Sequence, residues 1–249
     1  MTTYEKINIR GVNFLNVTLD EAAKVGEEML CGDKVCTVFT PNSEIVQLCI
    51  EQNEYYDLYN SGDMVVPDGA GVVKAAKILG TPLKGKVAGV ELGEKMLEYC
   101  AKSGDGVFFL GAKPGVAEAA AENMCKKYEG LNVVGTADGY FKKSGEESDA
   151  VLEKINASGA KLLFVCLGVP VQEKWISDNK EKFTTVRMCM GLGGSLDVYA
   201  GTVKRAPKIF IKLSLEWFYR LLKEPKRIGR MMKLPKFLFG TYIYKAKRK

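Results

Sequence analysis

Apolar and polar positions follow two different rhythms along this chain, and the changes of rhythm mark its elements. Lys6 to Val17 (KINIRGVNFLNV) shows partial alternation with a period near two around Gly11, as in a hairpin. Thr18-Leu-Asp-Glu21 has the spacing of a capping box, and it predicts a helix through about Leu30. A short apolar run from Val35 to Phe39 leads into a helix over Ser43 to about Ile50 and a shorter one over Tyr55 to Tyr59. The apolar run Met64 to Val66 precedes a helix over Gly69 to Leu79, which Gly80, Thr81 and Pro82 break. Another helix is predicted from Glu91 to Cys100.

From Gly106 the alternation becomes regular. VFFL runs into GAKPG and a helix from Val116 to Tyr128. NVVG runs into a TADGYF loop and a helix from Glu146 to Asn156. KLLFVCLG runs into VPVQE and a helix to Lys182, and VRMCMG with LGGSLDVYAG closes the series. Strands alternating with helices imply parallel pairing through right-handed crossovers. The expected fold is therefore α/β and Rossmann-like: a mostly parallel sheet with helices on both faces and a smaller N-terminal lobe. In such sheets ligands collect at the carboxyl ends of the strands. The polar turns TPNSE (Thr40 to Glu44) and PDGAG (Pro67 to Gly71) stand at two such ends, so both are expected to face one crevice.

The pattern changes at Thr202, which divides a core over residues 1–201, with its crevice between two lobes, from an appendage over residues 202–249. Ala206 to Lys223 predicts a helix with Phe210, Leu213, Trp217 and Leu221 in one stripe, widened by Ile211, Leu215, Phe218 and Leu222. Pro225 ends or kinks it. The remainder, KRIGRMMKLPKFLFGTYIYKAKRK, interleaves bases with Ile, Met, Leu, Phe and Tyr, a mixture suited to lipid headgroups. Charge sharpens this division. The net charge of +6 conceals 15 Lys and Arg against two acids from Thr202 onward, so the tail carries +13 and the body −7. A basic tail on an acidic body points to an anionic partner, whether membrane, nucleic acid or phosphorylated substrate.

Composition narrows the chemistry further. With 249 residues, 47% of them apolar, the chain can bury a sizeable core. Seven cysteines with no CxxC and no histidine complete no zinc site, and they read as small buried hydrophobes in a reducing compartment. The first residues lack the charged head and apolar core of a signal sequence, and no window approaches the ~18 apolar residues of a membrane span, so a cytoplasmic protein is expected. Without histidine, a general base working near neutral pH must be a carboxylate, Lys, Tyr or Cys.

Two readings fit Thr40, Asn42 and Asp68. Asn42 or Ser43 can cap the helix after CTVF, and Asp68 the helix starting at Gly69. Alternatively, the three side chains orient a sugar hydroxyl whose proton Asp68 accepts. GAKPG, with Gly111, Lys113, Pro114 and Gly115, either brings backbone N–H groups and a helix N-terminus to a phosphate or uses its glycines for turn geometry alone. The turns carrying Gln172 and the pair Gly193 and Gly194 can read a base or sugar. GLGGSL is not a GxGxxG fingerprint, and GxxxxGK[ST], GxSxG and DxD are all absent. A metal-free route must neutralise a leaving phosphate with basic side chains and backbone N–H groups. Lys86 and Lys113 are candidates in the body, and Arg220, Arg227 and Arg230 in the tail, where a solvated basic face is the alternative.

Taken in order, TPNSEIV, PDGAGVV, KVAGVEL, FFLGAKPGVAEAA, ADGYF, LGVPVQEKWI, GLGGSLDVYAGTVKRAP and LEWFYRLLKEPKRIGR resemble the WecG/TagA/CpsF family of bacterial glycosyltransferases over nearly the whole chain. The resemblance implies an inverting, metal-independent transfer with no cofactor, from a UDP-sugar donor to an undecaprenyl-diphosphate-linked acceptor at the cytoplasmic membrane face. In its teichoic-acid branch the donor is UDP-N-acetylmannosamine and the acceptor is lipid-linked N-acetylglucosamine. Relatives serving capsule or exopolysaccharide would use UDP-glucose, UDP-glucuronate or UDP-N-acetylmannosaminuronate instead. The family pattern assigns the base to Asp68, with Thr40 and Asn42 in the same pocket, and donor contact to Gln172. It assigns docking on the lipid diphosphate to Arg220, Arg227 and Arg230. Lys86 and Glu91 depart from the arginine and aspartate common at those positions, and lysine lacks the bidentate fork. A nucleotide- or nucleic-acid-binding protein without enzymatic activity is the rival from another class, but the tail's apolar residues suit lipid better than a duplex, so no nucleic-acid partner is expected. A homo-oligomer is left open.

Overall fold

The computed structural model describes residues 3–204, 206–207, 209–210, 216–223 and 228–247. Strands β1 (Lys6–Ile9) and β2 (Val12–Leu15) form the expected antiparallel hairpin. Helix α1 (Leu19–Leu30) opens with the capping box foreseen: Thr18 Oγ1 accepts the Glu21 N–H at 3.2 Å, and the Thr18 N–H donates to the Glu21 carboxylate at 2.8 Å.

Then come β3 (Cys36–Phe39), α2 (Ser43–Glu51), α3 (Glu54–Asn60), β4 (Met64–Val65), α4 (Ala70–Leu79) and α5 (Gly89–Ser103). The regular second part supplies β5 (Val107–Gly111), α6 (Val116–Lys127), β6 (Val133–Ala137), α7 (Glu146–Ala157), β7 (Leu162–Cys166), α8 (Val171–Asn179) with a 3₁₀ turn at Lys180–Lys182, β8 (Met188–Gly191) and α9 (Ser195–Tyr199). The tail adds α10 (Glu216–Lys223), α11 (Ile228–Met231) and α12 (Lys233–Ala246).

Six strands make one wholly parallel sheet in the order β4-β3-β8-β7-β5-β6. Alternate side chains serve opposite faces, as the two-residue period requires. Val38, Met64, Phe109, Phe164 and Met190 pack with α1, α5, α6 and α9. Phe39, Val65, Phe108, Leu163, Val165 and Cys189 pack with the hairpin, α2, α4, α7, α8 and α12. With helices on both faces, the fold is the Rossmann-like α/β architecture.

Three departures bear on function. Helix α5 begins at Gly89, two residues before the expected start, and no side chain caps it. LGGSLDVYAG is not turn throughout: Leu196 and Tyr199, three residues apart, both face the core and wind Ser195–Tyr199 into α9. The last stretch of the tail forms α12, whose Phe237 and Thr241, four apart, are fully buried against the core. Of the stripe expected upstream, Trp217, Phe218 and Leu221 lie in α10, while Ile211, Leu213 and Leu215 fall outside the described residues, as does Pro225.

Because the capping box closes two otherwise orphaned backbone donors, Thr18→Ala is expected to cost about 1 kcal/mol and lower the melting temperature by roughly 2–4 °C, as calorimetry can check.

Candidate active site

The carboxyl ends of all six parallel strands lie along one edge of the sheet. Along it, β3 hands its chain to α2 on one face and its neighbour β8 to α9 on the other. Neighbouring strands whose helices leave on opposite faces open a crevice between them. The turn after β3 enters this crevice, and backbone bonds tie the turn after β4 to it. Val66 N–H donates to the Phe39 carbonyl at 3.0 Å, and Asp68 N–H to the Pro41 carbonyl at 3.3 Å. The two polar turns thus form one wall, with Thr40, Asn42 and Asp68 all half-buried in it.

Capping explains part of this wall. Asn42 caps α2, its Oδ1 accepting the N–H groups of Glu44 at 2.9 Å and Ile45 at 3.1 Å. Asp68 does not take the corresponding place before α4. Gly69 does, with φ +85° and no side-chain cap. That conformation suits glycine and turns the chain sharply into α4, so Asp68 stands one residue before the cap position.

Thr40 spans the crevice, donating from Oγ1 to the Gly191 carbonyl of β8 at 3.2 Å. The first turn of α5 closes over the same threonine. A methyl on Gly89 would lie 3.0 Å from Thr40 Oγ1 and 3.4 Å from Leu192 Cδ2, tight enough that the side chains would have to give, so glycine eases the close approach of the helix. Two bonds hold that start in place: Val87 N–H to the Pro67 carbonyl at 2.8 Å, and Tyr199 Oη to the Val90 carbonyl at 2.7 Å. The uncapped N–H groups of a fifteen-residue helix therefore come to the strand ends, carrying partial positive charge. The half-buried Lys86 precedes them. Sequence reasoning missed this contribution because Ala88 and Gly89 offer no capping signal.

Gln172 stands at the turn after β7, but it is buried and committed within the protein. Its Oε1 accepts the Gly193 N–H at 3.0 Å, and its Nε2 donates to Glu173 Oε1 at 2.8 Å. Gly193 (φ +55°) and Gly194, which leads α9, are thereby held at the end of β8. Burial pushes the Glu173 carboxyl up to about 7, and its bond to Gln172 offsets only part of that. No pattern in the sequence marks Glu173 as buried.

The GAKPG turn divides between the two readings it admits. Gly111 (φ +129°) is a packing residue, since a methyl there would overlap the Cys166 backbone on β7. Lys113, Pro114 and Gly115 are exposed. Gly115 (φ +82°) has open space before it and leads into the uncapped start of α6.

The C-terminal helix also reaches the crevice wall. It runs alongside α4 in the same direction, and a methyl on Gly71 would meet Leu234 Cδ1 at 2.6 Å and Ser43 Oγ at 2.7 Å. Lys233 and Lys236 both pair with Glu51 of α2, at 3.6 and 2.7 Å, and the Arg10 guanidinium of the hairpin tip lies 4.7 Å from the centre of the Tyr244 ring. Arg220 falls in α10 and Arg230 in α11, where the backbone alone is described, and Arg227 lies outside the described residues. Among the described residues, no three His, Cys, Asp or Glu side chains cluster as metal ligands would.

The sequence model of the glycosyl transferase WecG/TagA/CpsF family matches residues 7–249. Two similar proteins, from Staphylococcus aureus strains MW2 and NCTC 8325, are named N-acetylglucosaminyldiphosphoundecaprenol N-acetyl-beta-D-mannosaminyltransferase. Each is 37% identical over 246 residues, which cover 98% of this chain and 94% of the relative.

The two glycines of GAKPG should respond differently to alanine. Gly111→Ala combines a forbidden overlap with a strained φ and should destabilise by roughly 3 kcal/mol or more. Gly115→Ala meets only the strain, about 1 kcal/mol. Urea unfolding of both variants measures the contrast.

Proposed function

Because the chain belongs to the WecG/TagA/CpsF family of glycosyl transferases, we propose that it transfers N-acetylmannosamine from UDP-N-acetylmannosamine to undecaprenyl-diphosphate-linked N-acetylglucosamine, with inversion and without a metal ion. The observation that carries the mechanism is the backbone bond joining the turns after β3 and β4, which sets Asp68 beside Thr40 and Asn42 at one crevice wall.

Asp68 accepts the proton of the acceptor hydroxyl as that oxygen attacks the anomeric carbon from the face opposite UDP. The chain has no histidine to take this role. Thr40 and Asn42 orient the reacting groups. As the glycosidic bond to UDP breaks, negative charge grows on the diphosphate. The N-termini of α5 and α6, with Lys86 and Lys113 near them, supply the compensating positive potential. The family resemblance assigns the lipid diphosphate of the acceptor to Arg220, Arg227 and Arg230.

A membrane-bound acceptor also accounts for the two-sided character of α12. Its inner side is buried through Phe237 and Thr241, yet its outer side exposes Phe239 (69%), Tyr242 (57%) and Ile243 (43%). A helix with apolar side chains on its outer side as well as its inner one is suited to a second apolar partner. Beside this outer side an open cleft of about 650 Å³ is lined by Lys74, Lys77, Ile78, Tyr242, Lys245 and Ala246, a cationic border suited to anionic headgroups. Among the described residues no helix is long and apolar enough to cross a membrane, so the contact we assign is peripheral, on the cytoplasmic face.

Three measurements test this reading. Incubation with synthetic lipid-diphosphate N-acetylglucosamine and a panel of UDP-sugars should release UDP fastest from UDP-N-acetylmannosamine. Preference for UDP-glucose, UDP-glucuronate or UDP-N-acetylmannosaminuronate would reassign the donor. Asp68→Asn should cut turnover by at least about 10²-fold while leaving UDP affinity and melting temperature unchanged, and retained turnover would remove Asp68 from the base role. Replacing Phe239, Tyr242 and Ile243 together by serine should abolish co-flotation with anionic vesicles. Unaltered flotation would move the lipid contact elsewhere.

A further inference from the structure

The mechanism above makes no use of Glu173, near the start of α8, although this carboxyl is only 1% exposed. Its Oε1 accepts from Gln172 Nε2 at 2.8 Å, and its Oε2 has no hydrogen-bond partner. The hydroxyl of Tyr59 on α3, fully buried, is likewise without one. Tyr59 nonetheless faces Glu173 closely enough for hydroxyl and carboxyl to act on each other as a hydrogen-bonding pair, which lowers the carboxyl and raises the phenol, and Cys49 on α2 stands near enough to feel the carboxyl's charge. Burial first, and then the Glu173 carboxyl, push both of those groups up, so neither offers Glu173 a countercharge.

The adjacent residue gives this costly side chain a purpose. A glutamine amide can be turned end for end with little change of shape, so its partners must decide which end faces where. Gln172 has to present its oxygen to the Gly193 N–H, 3.0 Å away. A neutral Glu173 carrying its proton on Oε2, toward Tyr59, offers Oε1 purely as an acceptor and selects the Nε2 end for itself. Gly191 is fitted around the pair: a methyl there would lie 3.0 Å from Gln172 Nε2 and 3.4 Å from Glu173 Oε1.

We propose that Glu173 is a positioning residue: by accepting from Gln172 it fixes the amide that holds the Gly193 N–H, and with it the turn over Leu192 to Gly194 that faces Thr40 across the crevice. Its relevance to catalysis rests on reading that crevice as the transferase site. The neutral acid performs this task. An ionised Glu173 would be a buried charge without a cation, and the packing around it would loosen to admit water. Burial holds the carboxyl up to about 7, so the competent form prevails below neutrality and is lost as the pH rises.

The test compares the parent with Glu173→Gln, which keeps an acceptor for Gln172 and a donor toward Tyr59, and with Glu173→Met, which fills the space with neither. Hydrogen exchange at the Gly193 amide, kcat/KM for UDP-sugar and melting temperature are followed from about pH 6 to about 9. Glu173→Met should speed Gly193 exchange and lower kcat/KM, each about tenfold, for the loss of one buried hydrogen bond. Glu173→Gln should restore both below neutrality and lose the part of the alkaline decline that the parent owes to Glu173. Unchanged Gly193 exchange or unchanged kcat/KM in Glu173→Met, whatever its melting temperature, overturns the proposal, as does failure of Glu173→Gln to restore Gly193 protection. If even the parent turns over no UDP-sugar, the transferase reading fails separately, and Gly193 exchange alone then decides the positioning role.

Discussion

A parallel ladder sends every strand in the same direction, so each connection must return across a face and each carboxyl end must emerge at the same edge. That constraint gathers turns that begin at Thr40, Pro67, Ala112, Leu167 and Leu192 into one row, although more than 150 residues separate the first from the last. What makes the row a candidate site is the neighbourhood of β3 and β8, whose helices leave on opposite faces. Thr40 bonds across that gap to Gly191, and Asp68 is drawn in by the bond to Pro41. The apolar sheet beneath supplies rigidity, since every strand but the half-buried edge strand β6 is buried on both faces.

The elements legible beforehand are those whose signal is local. The hairpin at Gly11, the Thr18–Glu21 capping box and the short apolar runs each carry their instruction within a few residues, and the structure follows them closely. The ordered motifs went further and identified the family. What could not be read depends on contacts between distant segments. Gly89 looks like an ordinary glycine until Thr40 and Leu192 are brought against it, and the start of α5 follows from that approach rather than from a cap. Glu173 belongs to a polar-looking VPVQE turn, and only the rotation of α8 against α3 places it in the interior. The bonds of Gln172 to Gly193 and Glu173 likewise join residues that local sequence does not link.

Helix α12 shows how two demands can be written on one segment. Its composition, with bases among aromatic and aliphatic residues, suggested a surface element, and its outer side has that character. The inner side, through the fully buried Phe237, is part of the core, and the half-buried Leu234 packs beside Gly71 and Ser43. Its ion pairs to Glu51 are partly exposed and contribute little alone, so the buried aromatic does most of the anchoring.

Leu234, at the crevice wall, and Ile243, on the outer side, belong to one unbroken helix, so a displacement of either end moves the other. Two binding events that act on one rigid body are linked in both directions. If contact at the outer side and occupancy of the crevice each favour one setting of α12, each must alter the affinity of the other by the same factor. A filled crevice would then lengthen or shorten the time that the outer side stays in contact, which makes that residence a property of the crevice as well as of the tail.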